Sequence, residues 1–481
     1  MNPSPDFPGS PEPAEPLDAA PVPAADQADS PAGFADDPAP LVVPPSQHPL
    51  RPEMISPEAL KVLRRLDESG YKAYLCGGGV RDLLLGIAPK DFDVATDARP
   101  EEIKHVFRNC RIIGRRFRLA HVIFRDVIIE TATFRALLDP SPTDASAAES
   151  VAIPSRRRSD IPDPTYATRG GVVVRDNVYG TPSDDARRRD FTVNGLFYDI
   201  ADGSIIDYVG GLRDLSARVL RVIGDPAARF HEDPVRMVRA VRIASQLGFA
   251  IEPAALDAIR AQGSELAMSS RERLYEEMLK IRNCGHARDV FDQARALGLF
   301  RVVHPAVDAW LDSPSGTPYL PWIRKAYAQF DIWKRNRLLP HPALQYALML
   351  GPCFEDEAAR ITARDGLSDY DAMIAAVPSV MRAPGDLTQI PKNVILEVQR
   401  IMTLQVQMRK STATSRYAEN LRNRYGFDLA AIYLKFAAAL DPARKPLLDR
   451  WLSGGPVPAH DYNTRRHHPL RRSRPRRPPR R

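Results

Sequence analysis

The sequence predicts an α+β protein in which a mixed α/β region of about residues 56–206 is followed by an all-helical region. In the first region, short apolar and β-branched runs alternate with helical periods, as expected of a sheet covered by helices. From Asp233 onward almost every segment has the period of a helix. The chain has 481 residues, a length that suggests about two to four domains.

The first helix is predicted from the signals at its two ends. SPEALKVLRRLDESG has Ser56 at the N-cap, a proline directly after it, and Gly70 beyond its last apolar residue. YKAYLC (71–76) then predicts a short strand and VRDLLLG (80–86) a short helix. KDFDVAT (90–96) predicts a second strand by its alternation.

The elements that follow extend the same sheet. RPEEIKHVFRNC predicts a helix, and RIIG, RLAHVIF and VIIETATF predict further strands because they are β-branched and apolar. Residues 139–170, rich in Pro, Ser, Ala and Arg, predict a long irregular loop. DARRRDFTVNGLFYDI (185–200) predicts a helix, and a turn at Asp202–Gly203 leads into IIDYVGG.

The two ends of the chain carry opposite charge, and neither predicts packed structure. Residues 1–50 hold eight acidic and no basic residues and show no apolar period, so we predict a disordered Pro/Ala-rich arm. Residues 465–481 hold nine arginines and no acidic residue, and we predict a disordered Arg-rich tail over 456–481. Since the net charge is +7, an excess of about +6 remains between the ends, which fits a polyanionic partner without requiring one.

Cysteine use and hydropathy exclude several classes of protein. The four cysteines are scattered and form no CxxC pair, which argues against a disulfide framework and against a structural zinc site. The N-terminus lacks the basic start and apolar core of a signal peptide, and no stretch approaches the roughly eighteen apolar residues of a membrane span. We therefore expect a soluble cytoplasmic protein that acts without a membrane.

The first motif with chemical meaning is a glycine-rich turn. Gly77, Gly78 and Gly79 lie between a predicted strand and a helix N-terminus, where bare backbone N–H groups and the helix dipole favour a phosphate. Arg81, in the first turn of that helix, could add a charged contact. The alternative is a tight turn that needs glycine only for packing.

Acidic residues follow this turn closely. Asp91 and Asp93 are two apart on a predicted strand, so both side chains leave the same face, an arrangement that suits a hard divalent cation such as Mg²⁺. The alternative is an exposed strand edge with solvated carboxylates. Glu130 and Asp190 are candidates for a third carboxylate, and each could equally form an ordinary ion pair.

A basic helix begins at EDPVRMVRAVRIA. Asp233 followed by Pro234 predicts an N-cap and a first-turn proline. Arg236, Arg239 and Arg242 recur every third residue. These arginines form either a solvated face or a row turned toward a triphosphate or a base edge.

Taken together, these motifs resemble the class II nucleotidyltransferase superfamily of tRNA nucleotidyltransferases and bacterial poly(A) polymerases. GGGVRDLLLGIAPKDFDVAT is similar to its phosphate-and-metal signature, and RRDFTVNG, DYVGG and EDPVRMVRAVR match later motifs in the expected order. The resemblance covers about residues 56–300. It implies a nucleotidyltransferase-type head with an approximately five-stranded mixed sheet, followed by an all-helical neck, body and tail.

The resemblance assigns a domain order to the chain. It implies a catalytic head over 51–206 and a helical neck for base recognition and RNA binding over 207–283. An RNA-binding body and tail over 284–455 complete the folded part.

The resemblance also assigns roles to particular residues. It implies that two Mg²⁺ ions are held by Asp91 and Asp93 and that Asp190 is a further acid at the site. The residues implied in nucleotide binding are Gly78, Gly79, Arg81, Arg135, Asn194, Asp233, Arg236 and Arg239, of which Asp233 and Arg236 are expected to read the base.

The implied reaction is the attack of an RNA 3′-hydroxyl on the α-phosphate of ATP, with release of pyrophosphate. GRRFRLAHVIF (114–124) is more similar to the poly(A) polymerases than to the tRNA nucleotidyltransferases, and Arg115, Arg116 and Arg118 are expected to contact the RNA backbone. We therefore expect a polynucleotide adenylyltransferase that uses ATP, Mg²⁺ and RNA 3′ ends, binds no DNA and acts as a monomer. The alternatives are a CCA-adding tRNA nucleotidyltransferase and a non-catalytic RNA-binding protein on the same scaffold.

Overall fold

The structure of the protein is a computed structural model that describes residues 39–114, 118–136, 166–169, 172–176, 178–410 and 416–452. Several sequence-based predictions fall outside these residues. They are the arm up to residue 38, the arginines at 115 and 116, most of the 139–170 loop, and the Arg-rich tail.

The predicted α/β region is built on a mixed sheet that has eight strands within the described residues, in the order β1-β10-β9-β2-β3-β6-β5-β4. The pair β7-β8 forms a separate hairpin, and β11-β12 a short parallel pair. The strands are β1 (Leu41–Val43), β2 (Ala73–Cys76), β3 (Asp93–Thr96), β4 (Cys110–Ile113), β5 (Leu119–Ile123), β6 (Ile128–Thr133), β7 (Tyr166–Arg169), β8 (Val172–Asp176), β9 (Leu196–Asp199), β10 (Ile205–Asp207), β11 (Val219–Leu220) and β12 (Ala250–Ile251).

The pairing of the central strands brings three motifs to one end of the sheet. β2 and β3 are antiparallel with Cys76 opposite Asp93, so the glycine turn after β2 adjoins the start of β3. β3 and β6 are parallel with Val94 opposite Thr131, so Glu130 lies beside Asp93 in register. The glycines and two carboxylates that are far apart in sequence are therefore neighbours.

The sheet is larger than the approximately five strands that the resemblance implies. Part of the difference is β1, which pairs antiparallel with β10 and extends one edge of the sheet. The prediction of disorder is thus wrong for residues 41–50. The reason is that Leu50, which is 1% exposed, joins the core under the sheet although its flanking sequence has no apolar period.

The predicted helix over residues 185–200 is also wrong. A helix ends at Arg188, a short 3-10 helix covers Thr192–Asn194, and Leu196–Asp199 form the strand β9. Asp190 accepts a hydrogen bond from the backbone N–H of Phe191 (2.9 Å), a local bond that competes with helix formation. The apolar residues after Gly195 then enter the sheet between β2 and β10.

The helices follow the predicted pattern more closely, and Ser56 caps the first by accepting a hydrogen bond from the N–H of Ala59 (3.1 Å). They are α1 (Pro57–Glu68), α2 (Gly78–Leu84), α3 (Pro100–Val106), α4 (Pro182–Arg188), α5 (Gly211–Ala217), α6 (Pro226–Glu232), α7 (Val235–Leu247), α8 (Pro253–Gln262), α9 (Arg271–Arg282), α10 (Ala287–Ala296), α11 (Leu299–Val303), α12 (Pro305–Leu311), α13 (Leu320–Arg335), α14 (Pro342–Asp365), α15 (Asp369–Met381), α16 (Lys392–Lys410), α17 (Arg416–Arg422), α18 (Phe427–Leu440) and α19 (Lys445–Leu452). No helix in the described ranges is long and apolar enough to cross a membrane.

Two large apolar cores organise these elements. One contains buried residues from Leu50 to Val303, so the sheet and the first helices after it pack as a single body. The other contains buried residues from Ala287 to Trp451 and belongs to the helical body. The predicted head and neck therefore share one core, and residues on α7 can be held at fixed positions relative to the sheet.

Candidate active site

The glycine turn needs glycine for conformation and for packing. Gly77 has φ +73°, and a Cβ on it would lie 2.9 Å from Nη1 of Arg189. Its N–H donates to the carbonyl oxygen of Leu196 (3.1 Å) and so is already used within the protein. Gly78 and Gly79 begin α2, and a Cβ on Gly79 would lie 3.4 Å from the carbonyl oxygen of Asp91. The packing interpretation therefore holds for Gly77, and a phosphate-binding role stays a prediction for the next two glycines.

The two aspartates have different environments. β3 begins at Asp93, so Asp91 precedes the strand, and its exposed carboxylate lies 3.5 Å from Nζ of Lys90. Burial, Glu130 and Asp91 raise the pKa of Asp93 to about 6, although Arg189 and Arg239 act in the opposite direction. Carboxylates therefore crowd Asp93, whose ionised form is disfavoured in the free protein.

This donor set fits part of a Mg²⁺ site. Among the described residues, no group of three His, Cys, Asp or Glu side chains converges closely enough to hold a metal by itself. Mg²⁺ commonly binds through one or two carboxylates and completes its shell with water and substrate phosphates. Asp91 and Asp93 match that pattern, and a cation would relieve the repulsion that raises the pKa of Asp93.

Asp190 is a buried and paired carboxylate. Its Oδ1 accepts hydrogen bonds from the N–H of Phe191 and from Nδ2 of Asn194, both at 2.9 Å. Its Oδ2 lies 2.9 Å from Nε of Arg239, a close ion pair whose angle is too poor for an aligned hydrogen bond. Burial raises the pKa of Asp190, but Arg239 and the hydrogen bond from Asn194 lower it by more. The net pKa therefore lies below the ordinary value.

Asn194 joins the glycine-turn helix to this carboxylate. Nη1 of Arg81 donates to Oδ1 of Asn194 (2.6 Å), and the amide nitrogen of Asn194 donates to Asp190. Arg81 also contacts Asp82 through Nε (2.8 Å) and Nη2 (2.6 Å). The structure thus brings Arg81, Asn194, Asp190 and Arg239 into one chain of contacts.

The two residues predicted to read the base, Asp233 and Arg236, lie at the junction of α6 and α7. The predicted N-cap at Asp233 is wrong, because α6 ends at Glu232 with Asp233 as its C-cap, and Pro234 occupies the N-cap of α7. The carboxylate of Asp233 instead accepts two hydrogen bonds from Arg273, at 2.8 and 2.6 Å. Arg236 donates through Nη1 to Glu232 (2.7 Å) and to the carbonyl oxygen of Arg229 (2.9 Å).

The remaining predicted arginines that the structure describes, Arg135 and Arg118, have contacts with other residues. The backbone N–H of Arg135 donates to Oδ1 of Asp185 (3.3 Å), and burial lowers the pKa of the Arg135 guanidinium. Arg118 forms an ion pair with Glu101 at 2.5 Å. Its contact with RNA stays a prediction, as does that of the two arginines before it, which lie outside the described part of the chain.

Asp185, Arg189 and Arg273 also support the site, although no sequence motif indicated them. Arg189 is held by Asp185 (2.8 Å) and lies over the ring of Phe197, with its guanidinium carbon 5.1 Å from the ring centroid. The four-residue spacing of Asp185 and Arg189 on a helix could have indicated that pair. Arg273 had no such signal, because it is 40 residues from Asp233 and only the packing of α9 brings it near.

This chain belongs to the poly(A) polymerase family. Residues 73–221 match the poly A polymerase head domain, and residues 248–311 match a family described as the probable RNA and SrmB-binding site of polymerase A. Poly(A) polymerase I of Salmonella typhi is 37% identical over 461 residues, which cover 92% of this chain and 93% of the relative. Poly(A) polymerase I of Escherichia coli is 38% identical over 395 residues, or 81% of each chain.

CCA-adding enzymes are also similar, over a shorter stretch of sequence. The enzyme of Levilactobacillus brevis is 38% identical over 223 residues, which cover 46% of this chain and 49% of the relative. The crystal structure of the Bacillus stearothermophilus CCA-adding enzyme in complex with CTP has a TM-score of 0.53 at 25% identity and covers 82% of both chains. The fold is therefore shared with a CCA-adding enzyme, and the sequence similarity to poly(A) polymerase I covers more of this chain than the similarity to the CCA-adding enzyme of Levilactobacillus brevis does.

Proposed function

Because this chain belongs to the poly(A) polymerase family, we propose that it extends RNA 3′ ends with AMP from ATP at the site formed by Asp91 and Asp93. The protein is a polynucleotide adenylyltransferase. The observation that carries this function is similarity to poly(A) polymerase I along 92% of the chain, including the helical body. The CCA-adding enzymes of Levilactobacillus brevis and Bacillus licheniformis match 46% and 57% of the chain.

The residues of the site can each be given a task. Asp91 and Asp93 would hold Mg²⁺ together with the triphosphate, and the crowding of Asp93 by Glu130 favours a bound cation. When bound, the metal supplies charge neutralisation at the triphosphate and lowers the pKa of the attacking 3′-hydroxyl. Gly78, Gly79 and Arg81 would hold the triphosphate in line for attack, which is a gain in orientation.

The other members of the site position these groups. Asp190 keeps Arg239 charged and in place, and Asn194 fixes Arg81. Asp233 and Arg236 would present an acceptor and a donor to the Watson–Crick edge of the base. Adenine offers both complements, an amino donor and a ring-nitrogen acceptor.

A nucleotide-choice assay tests the function. The purified protein is incubated with ATP alone, CTP alone or both, on a tRNA lacking its 3′ end and on an unstructured RNA. Long adenylate tails on either RNA without CTP are expected. Addition that needs CTP and stops after a few residues on tRNA would instead identify a CCA-adding enzyme, and no addition by a protein that binds RNA would identify a non-catalytic scaffold.

The catalytic assignment has a separate test. Asp91→Ala and Asp93→Ala are each expected to abolish transfer in a protein that keeps the wild-type circular dichroism spectrum. Wild-type activity in either purified variant would contradict the assignment.

A further inference from the structure

We propose that Arg229 is a positioning residue that sets the place of Arg236 relative to Asp190, and thereby the choice of nucleotide. The proposal rests on the function given above and deepens it. It concerns a residue of α6 that none of the sequence motifs singled out.

The first contact of Arg229 is with the end of α4. Its Nη2 donates to the carbonyl oxygens of Arg188 (2.6 Å) and Arg189 (2.8 Å). These are carbonyls at the end of a helix, which lack partners within the helix and carry the negative end of its dipole. Asp190 is the next residue, so the guanidinium holds the backbone that carries the carboxylate.

The second contact of Arg229 is shared with Arg236, one of the two residues predicted to read the base. Its Nη1 donates to Oε2 of Glu232 (2.6 Å), and the same oxygen accepts from Nη1 of Arg236 (2.7 Å). That nitrogen of Arg236 also donates to the backbone carbonyl of Arg229 (2.9 Å). Residue 229 therefore holds Arg236 in two ways. Its side chain fixes the Glu232 oxygen that Arg236 binds, and its own backbone carbonyl accepts the other hydrogen bond.

Burial makes this arrangement rigid. The side chain of Arg229 is 15% exposed and that of Arg236 is 13% exposed. Charge-assisted hydrogen bonds at such positions are short and costly to break, because water cannot replace the lost partner. Glu232 separates two guanidinium groups that would otherwise repel each other, and both guanidinium groups lower its pKa.

A lysine cannot reproduce these contacts. Arg229 uses two nitrogens in different directions, one toward the α4 carbonyls and one toward Glu232. A single ammonium group on a flexible stem can serve one side only. Loss of the side chain should therefore free Arg236 to shift, and a shifted donor no longer distinguishes a purine edge from the shorter pyrimidine edge.

Steady-state kinetics and equilibrium binding of ATP and CTP test the proposal in the full chain. Arg229→Met keeps the aliphatic stem, and we expect about a tenfold rise in KM and Kd for ATP, of the order given by loss of one charge-assisted hydrogen bond. The preference for ATP over CTP should fall by a similar factor, while kcat changes less. Arg229→Lys should lie between Arg229→Met and the wild type.

A matched control separates positioning from stability. Arg260→Met removes an arginine of α8 that is 59% exposed and paired with Asp257, and it should leave both nucleotide constants unchanged. A purely structural role for Arg229 would lower the melting temperature and reduce kcat equally for ATP and CTP at constant KM, and that result would overturn the proposal. Wild-type KM, Kd and nucleotide preference in Arg229→Met would overturn it too.

Binding also separates this proposal from the proposed function. If the wild type bound ATP but transferred no AMP to any RNA, the adenylyltransferase function would fail. The effect of Arg229 on the ratio of ATP to CTP affinity would still be measured, and an unchanged ratio would refute the positioning role alone.

Discussion

Asp93→Asn should stabilise the metal-free protein although it abolishes activity. The pKa of Asp93 is raised from its ordinary value of 3.8 to about 6 by burial, Glu130 and Asp91. At 1.36 kcal/mol per unit, the shift corresponds to about 3 kcal/mol of unfavourable free energy in the folded, ionised state. Although surrounding protein atoms desolvate the carboxyl, the residue keeps an exposed surface, so solvent screens much of this effect and we expect about 1 kcal/mol of stabilisation at pH 7.5.

The size of this effect depends on pH, whereas its sign does not. Below pH 3.8 the carboxyl is protonated in both the folded and the unfolded chain, so the penalty is absent. It grows as pH rises from 3.8 toward 6, because the unfolded chain loses its proton first, and it is complete above the folded pKa of about 6. The gain from Asp93→Asn at pH 5 should therefore be about half of the gain at pH 7.5.

Urea unfolding at the two pH values, with and without Mg²⁺ and ATP, is the assay. With both ligands present the wild type should become more stable to unfolding than Asp93→Asn, because the wild type gains binding free energy that the variant lacks. The affinity of the wild type for Mg²⁺ should also weaken as pH falls below about 6, where Asp93 takes up its proton. Asp257→Asn, at an exposed carboxylate of α8, is the control. A metal-free Asp93→Asn variant that is no more stable than the wild type at pH 7.5 would refute the reasoning.

Three further substitutions probe the site and the fold. Asn194→Ala removes the acceptor that holds Arg81, and steady-state kinetics should show a rise of about tenfold in KM for ATP; an unchanged KM would mean that Arg81 is held otherwise. Asp190→Asn removes the charge of a buried carboxylate that pairs with Arg239, whose side chain is 42% exposed and can still be solvated, so urea unfolding should show a loss of about 1–2 kcal/mol at pH 7, and the loss should shrink in acid as the wild-type carboxylate is protonated. Leu50→Ala should cost about 2–5 kcal/mol in the same measurement, whereas a disordered segment would show no change.

The sequence by itself determined the order of the motifs and much of the local structure. Ser56, Gly70 and the apolar period between them fix the first helix, because capping and periodicity act over a few residues. The glycine turn and the Asp91 and Asp93 pair were recognisable for the same reason. Their chemistry is carried by residues that are close together in the chain.

Local signals failed where distant contacts compete with them. Residues 185–200 have a helical pattern, yet Leu196–Asp199 join the centre of the sheet, where two neighbouring strands satisfy their backbone groups. Residues 41–50 lack an apolar period, yet β10 and the core beneath the sheet order them. In both places tertiary contacts outweigh local preference.

Only the tertiary structure decided which partners each functional side chain has. Asp233 is bound by Arg273 from 40 residues away, and Asp93 is crowded by Glu130 because β3 and β6 pair in parallel. Arg229 likewise donates to a carbonyl oxygen at the end of α4, which is 41 residues away in sequence, because the fold places α6 beside that helix end. The sequence names the charged residues, but the strength of an ion pair depends on distance and burial, and both are set by the fold.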